Sequence, residues 1–288
     1  MTGARLLVFD LETYRTRDPA VIARIADEAV EKRPPGNVSK HMKAEWDTEE
    51  ERDRRVAKAI ADTSLDVTLA EPILCAWRTW ETSDPEDDLP MMMGGEDHLA
   101  WKPEDERKNL ERLFLVWSEL TTQDTIWVGF NIDGYDLPIL LNRARLHGVR
   151  PPEHFPQFAR GRWRGRTFDL MQRVPAKTRF ISMDRALEMY GIEQAEVLWD
   201  GTPIDGSRVG EIYEVGTQKA VVALENYCTG DVIGNMKLYL AMTFGDTWGT
   251  YDRGMGEQMR AILDATALTV AEKAMALYSL VSSAGVSS

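Results

Sequence analysis

The chain begins with a short apolar run, residues 5–10 (RLLVFD), that leads into two acids separated by one residue, Asp10 and Glu12. A run of this length and apolarity is typical of a strand buried inside a sheet. Side chains alternate along a strand, so Asp10 and Glu12 project to the same side and Leu11 projects to the other. Two carboxylates held this close repel each other unless a cation lies between them, and hard oxygen ligands suit Mg²⁺ or Mn²⁺. In an acidic chain such a triplet also arises by chance.

A second acidic cluster follows another apolar run. Residues 125–130 (TIWVGF) predict a buried strand, and a glycine-containing turn then leads to Asp136 and a helix that starts around Pro138. An acid at the start of a helix is often an N-cap, which would explain Asp136 without chemistry. Asn131 and Asp133 are ordinary turn formers on the same grounds.

A third cluster, Tyr227-Cys-Thr-Gly-Asp231, lies within a stretch with helical character. Positions four residues apart share a helix face, so the Tyr227 hydroxyl and the Asp231 carboxylate can point into one site. Gly230 costs helix stability, about 1 kcal/mol relative to alanine, and leaves room for a ligand or a neighbouring segment. An exposed Asp231 beside a half-buried Tyr227 is the simpler alternative.

Taken together and in this order, the three clusters resemble the DEDD exonucleases, which carry four acids in three motifs. The motifs here are Val8–Thr13, Asn131–Asp136 with the Leu-Pro that follows, and Tyr227–Asp231. The tyrosine marks the DEDDy branch, because the histidine branch would need histidine where Asn226 stands. Specifically, the chain is similar to the exonuclease domain of family B DNA polymerases and its stand-alone relatives.

The resemblance implies a 3′–5′ exonuclease that uses two divalent metal ions, Mg²⁺ or Mn²⁺, and releases nucleoside 5′-monophosphates. It implies that Asp10 bridges both ions, that Glu12 and Asp231 serve the ion that activates water, and that Asp136 serves the other. Tyr227 would orient the attacking water. Leu11 and Thr13 would wedge against the terminal base, and Asn131 would contact the nucleic acid.

The resemblance also implies an α/β fold of the ribonuclease H-like type, a mixed sheet flanked by helices, and strands mixed with helices along the chain agree with it. We predict an exonuclease domain over residues 1–245 and a C-terminal helical extension over 246–288, with a helix at 257–281. Residues 15–65 form a charged insertion after the first strand, helical in its second half.

The distribution of charge along the chain indicates which kind of partner it binds. The net charge is −13, yet residues 143–185 hold 11 Lys and Arg against 3 Asp and Glu. This block contains Arg160, Arg162, Trp163, Arg164 and Arg166, a combination of cations and an aromatic ring that suits single-stranded nucleic acid. A solvated loop anchored to the core by Trp163 explains it equally well. Asp169, nearby, is expected to be structural, for example as an N-cap.

We therefore expect a partner that is single-stranded DNA or the 3′ end of duplex DNA, with RNA possible and a replication or recombination protein undefined. An exoribonuclease, a non-catalytic nucleic-acid-binding subunit and another ribonuclease H-like nuclease remain alternatives. No segment approaches the roughly 20 apolar residues of a membrane span, and the N-terminus lacks the pattern of a signal peptide. The expectation is a cytoplasmic protein whose two cysteines, Cys75 and Cys228, are buried free thiols.

Overall fold

The computed structural model of the chain describes residues 5–34, 45–46, 48–81, 91–100, 105–159, 162–164, 166–175, 180–194 and 196–245. Its centre is a five-stranded sheet. The strands are β1 (Arg5–Tyr14), β2 (Glu71–Glu81), β3 (Met91–Ala100), β4 (Ile126–Gly129) and β7 (Thr167–Asp169). Two small hairpins lie outside it, β5 (Gln157–Ala159) with β6 (Arg162–Arg164), and β8 (Leu198–Trp199) with β9 (Thr202–Pro203).

The sheet order is β3-β2-β1-β4-β7. β1 is antiparallel to β2 and parallel to β4, and β4 is parallel to β7. The strand that carries the first acids is therefore the middle one. The carboxyl ends of β1, β4 and β7 meet at one edge of the sheet, where open α/β sheets place their ligands.

Eight helices accompany the strands in the described part of the chain. They are α1 (Pro19–Glu31), α2 (Glu49–Ala61), α3 (Glu106–Leu120), α4 (Asp136–His147), α5 (Leu170–Arg173), α6 (Met183–Met189), α7 (Val209–Val215) and α8 (Gln218–Gly245), with a 3-10 turn over Asp62–Leu65. α8 packs on β1 and β2, and α1 packs on α2. Among these residues no helix is both long and apolar enough to span a membrane.

The core has two parts. On one face, Val8 and Val128 pack with Leu224, Cys228 and Val232 of α8. On the other face, apolar side chains of the sheet pack against α3 and α4 around a group of aromatic rings, Phe9, Phe114, Trp117, Trp127 and Phe155. Alternate residues of β1 enter the two clusters, as the period of two along a strand requires.

The predicted mixed sheet flanked by helices is thus confirmed. Apolar residues at helical spacing predict a helix over 104–120, and α3 lies there; α2 lies in the helical second half of the insertion. Turn signals at Asp200-Gly201 and Asp205-Gly206 predict a hairpin excursion over 196–213. The first turn closes the β8–β9 hairpin with both residues at positive φ, whereas after the second turn the chain forms α7 instead of a strand. The predicted C-terminal extension, with its helix at 257–281, lies outside the described residues.

Candidate active site

The end of β1 presents the first two acids. Asp10 and Glu12 are each partly exposed, whereas Leu11 between them is buried at 4% exposure. The pairing with β2 shifts register between Glu12 and Thr13, where Thr13 pairs with Pro72, so the proline lies at a β-bulge. Strand alternation thus places the two carboxylates on one side, and the bulge ends the regular pairing beside them.

α8 brings the third motif against this strand end. The thiol of Cys228 lies 3.7 Å from the Asp10 carbonyl oxygen and 3.6 Å from its Oδ2. One ligand atom each from Asp10, Glu12 and Cys228 lie within 4.8 Å of one another. Tyr227 is half-buried, and Asp231, one turn further along, is 8% exposed. The nearby Tyr227 hydroxyl lowers the pKa of Asp231 against the rise that burial causes.

A tight turn after β4 delivers Asp136. Asn131 adopts a left-handed conformation with φ of 59°, and its carbonyl accepts hydrogen bonds from the amides of Gly134 and Tyr135. Gly129 is required here, because an added Cβ would lie 2.3 Å from Ile132 Cγ2 and 2.8 Å from the Phe9 carbonyl oxygen.

Asp136 is the first residue of α4, and Tyr135 holds the N-cap position. It is 3% exposed, and the nearby backbone amide of Leu11 lowers the pKa of its carboxyl against the rise that burial causes. A residue that only capped α4 would need neither this burial nor a position beside β1.

The electrostatics show that the acids form one group. Burial, with the nearby Asp136 charge, raises the pKa of Asp10 to about 8. Burial raises the pKa of Asp136 to about 7. Burial also raises the pKa of Glu12, and the charges of Asp10, Asp231 and Asp136 add to the rise. The pKa of Asp231 is raised by burial and by Asp10.

Such a group of mutually repelling carboxylates is costly unless protons or a cation neutralise it. Its ligands are hard oxygens that converge from three elements, which suits a divalent ion such as Mg²⁺ or Mn²⁺. The residues present therefore fit a divalent metal. Burial, with the Asp231 and Glu12 charges, raises the pKa of Tyr227, so that its hydroxyl stays protonated at neutral pH.

Around the acids lies a set of hydrogen-bonding partners that sequence reasoning missed. Gln194 Nε2 donates to Asp231 Oδ1 at 2.8 Å. The Tyr135 hydroxyl donates to the Ser64 carbonyl and is 2.6 Å from Thr13 Oγ1. No local sequence signal points to either contact, because the partners are far apart in the chain.

Asp169 has the structural role expected of it. It caps α5 by accepting from the Met171 amide at 3.0 Å. It also accepts from the amides of Asn131 and Asp133 at 3.0 and 3.2 Å, and from Gln172 Nε2 at 3.0 Å. The carboxylate thereby fixes the turn that precedes Asp136.

The remaining predicted contacts to nucleic acid fall in different places. Leu11 belongs to the core, and Thr13 Oγ1 donates to the Ser64 carbonyl at 3.0 Å. Trp163 Nε1 donates to the Asp133 carbonyl at 2.7 Å, which anchors the β5–β6 hairpin to the Asp136 turn. Phe158, its edge-to-face partner at 5.3 Å, is 53% exposed.

The structure describes the arginines of the basic run to different extents. Arg160 lies outside the described residues, and Arg162 and Arg164 are described through the backbone of β6 alone. Arg166 is exposed and pairs with Asp124 at 3.3 Å.

A cleft of about 610 Å³ opens beside Tyr227 and Asp231. Its other walls come from α6 and the segment between α6 and α7 and include Asp184, Glu188 and Glu193. The cleft is therefore strongly acidic.

Comparison with known proteins finds a family whose model matches more than half of the chain. Residues 97–269 match a family described as "Predicted 3'-5' exonuclease related to the exonuclease domain of PolB". The matched segment contains Asp136, Tyr227 and Asp231 but not Asp10 and Glu12. No curated protein matches the sequence.

Among solved structures, the family B DNA polymerase from the hyperthermophilic archaeon Pyrobaculum calidifontis aligns with 94% of this chain, at 17% identity and a TM-score of 0.48. The chain spans 27% of the length of that polymerase chain.

Proposed function

Since this chain belongs to the family of predicted 3′–5′ exonucleases related to the exonuclease domain of PolB, we propose that it hydrolyses single-stranded DNA from the 3′ end. The proposed product is a nucleoside 5′-monophosphate. The observation that carries the proposal is that Asp10 and Glu12 lie together at the end of β1, near enough to Asp136 of α4 and Asp231 of α8 for those charges to raise the pKa of Glu12.

Two divalent ions, Mg²⁺ or Mn²⁺, would supply the activation of water and the neutralisation of charge on the leaving oxygen and phosphorus. The four acids would hold them. The raised pKa values of Asp10 and Asp136 in the metal-free protein support this role, because divalent cations can replace the protons that otherwise relieve the repulsion.

Tyr227 is proposed to orient the attacking water. Its hydroxyl lies near Asp231, and its raised pKa makes it a hydrogen-bonding group and a poor base at neutral pH. Asp231 would help to hold the ion that activates water.

The strand is proposed to approach along the β5–β6 hairpin. The hairpin is anchored to the turn before Asp136 by Trp163, lies in the basic block and carries the exposed ring of Phe158. Arginines contact phosphates, and exposed rings stack on unpaired bases. Thr13 and Asn131 lie nearer the acids, where they would meet the terminal nucleotide. The acidic cleft beside Tyr227 and Asp231 would repel a polyanionic strand.

The test of the function uses DNA and RNA strands of one sequence, labelled at either end and incubated with Mn²⁺. We expect labelled mononucleotide as the first product from 3′-labelled DNA, and stepwise shortening of the 5′-labelled strand. Early internal fragments would instead indicate an endonuclease. Preferential degradation of the RNA strand would indicate an exoribonuclease. Strands that stay intact with every divalent ion would indicate a non-catalytic binding protein.

The approach along the hairpin is tested by the salt dependence of single-strand binding. Replacing Arg160, Arg162, Arg164 and Arg166 with glutamine should weaken binding, and the slope of log K against log salt should fall by about 0.7 for each phosphate that the variant no longer neutralises. The matched control removes the same number of charges from exposed helical arginines, Arg24, Arg54, Arg107 and Arg185. Equal slopes for both variants would remove the hairpin from the substrate path.

A further inference from the structure

Gln194 lies in the segment that follows α6, and it contacts α8 beside the acids. Its Nε2 donates to Asp231 Oδ1 at 2.8 Å. It gives the Asp231 carboxylate a hydrogen-bond donor that carries no charge. A lysine or arginine in this place would bring a positive charge that competes with a bound cation, whereas an amide orients the carboxylate and leaves its charge available.

Two glycines of α8 leave room for the Gln194 side chain. A Cβ added at Gly230 would lie 3.4 Å from Gln194 Nε2, and one added at Gly234 would lie 3.3 Å from its Oε1. Both glycines are in the interior of a 28-residue helix, where glycine is unfavourable. Because they are four residues apart on one helix face, they expose bare backbone where the amide packs.

The position of the Gln194 side chain has a second energetic cost. Gln194 Oε1 is buried and has no hydrogen-bond partner among the described residues. A buried acceptor without a partner is unfavourable, and a side chain selected only for packing would be apolar here. The unpaired Oε1 and the two glycines are both explained if the Nε2 group of Gln194 serves to hold the Asp231 carboxylate in place.

We propose that Gln194 is a positioning residue for Asp231, and that it sets the affinity of the site for a divalent ion without touching the ion. The inference rests on the proposed function, because it takes Asp231 as a metal ligand. Hydrogen bonds that orient ligating carboxylates commonly change metal affinity by about 10- to 100-fold.

The test replaces Gln194 with leucine, which lacks both amide groups, and separately with methionine, which matches its length and flexibility. Mn²⁺ binding to the protein alone is measured by calorimetry, and the melting temperature is measured without metal. We expect the dissociation constant for Mn²⁺ to rise about 10- to 100-fold in both variants. The melting temperature without metal should change little, because each variant removes an unsatisfied buried oxygen together with one hydrogen bond to Asp231. Gln218→Leu, the same change at the exposed start of α8, should alter neither quantity.

Each remaining outcome counts against the inference. Mn²⁺ affinity that is unchanged in both variants, with or without a lower melting temperature, would make Gln194 a packing residue and leave the proposed function intact. A wild-type protein that binds no Mn²⁺ would overturn the inference and the proposed function together. Equal weakening in Gln218→Leu would show that the effect is not specific to the Asp231 contact.

Discussion

Asp169 gives a sharp test of how the turn before Asp136 is held. Its Oδ1 accepts from the amides of Asn131 and Met171, and its Oδ2 accepts from the Asp133 amide and Gln172 Nε2. In Asp169→Asn one oxygen remains, so two of these four donors face an NH₂ group. A buried donor left without an acceptor costs about 1–3 kcal/mol. We therefore expect the variant to lose about 2–4 kcal/mol of unfolding free energy.

Urea unfolding of the metal-free protein measures this loss, with Asp66→Asn as the control. Asp66 is exposed, and it accepts both its bonds from Thr68 on one oxygen, so asparagine can keep them. The Mn²⁺ concentration for half-maximal nuclease activity should also rise in Asp169→Asn, by about tenfold or more, because Asp136 loses its fixed position. A loss below about 0.5 kcal/mol, equal to that of an ordinary surface change, would refute this reasoning.

Two further predictions concern stability. The folded-state pKa values of Asp10 and Asp136, about 8 and about 7, lie above the ordinary value of 3.8. The folded state therefore keeps protons that the unfolded state loses, so the metal-free protein should lose stability as the pH rises from about 4 to about 8, and saturating Mn²⁺ should reduce the loss; urea midpoints that are flat with pH in this range would contradict this. Gly129→Ala should cost about 1–3 kcal/mol, because its Cβ meets Ile132 and the Phe9 carbonyl, whereas Gly206→Ala, with open space around it, should cost little by the same assay.

The parts of the site that the sequence predicted are those set by local geometry. Strand alternation places Asp10 and Glu12 on one side, and helix periodicity places Tyr227 and Asp231 on one face. Capping by Asp169 also follows from its position just before a helix. In each case the relation spans at most four residues.

The parts that were missed depend on pairing across the chain. The sequence of β3, MMMGGEDHLA, has two glycines and little β-propensity, and it forms a strand through its register with β2. The contact between Gln194 and Asp231 joins residues 37 positions apart. α1 was also not predicted, although Asp18 at its N-cap and Pro19 after it are local signals for the start of a helix.

The central claim is that acids from three separate motifs form one metal-dependent site acting on 3′ ends. The most direct test is Mn²⁺-dependent release of the labelled nucleotide from a 3′-labelled single strand by the wild type, Asp10→Ala, Asp231→Ala and the control Asp66→Ala. We predict that the wild type and the control release mononucleotide at equal rates, and that each site variant falls by about three orders of magnitude or more. Full activity in Asp10→Ala or Asp231→Ala would contradict the claim.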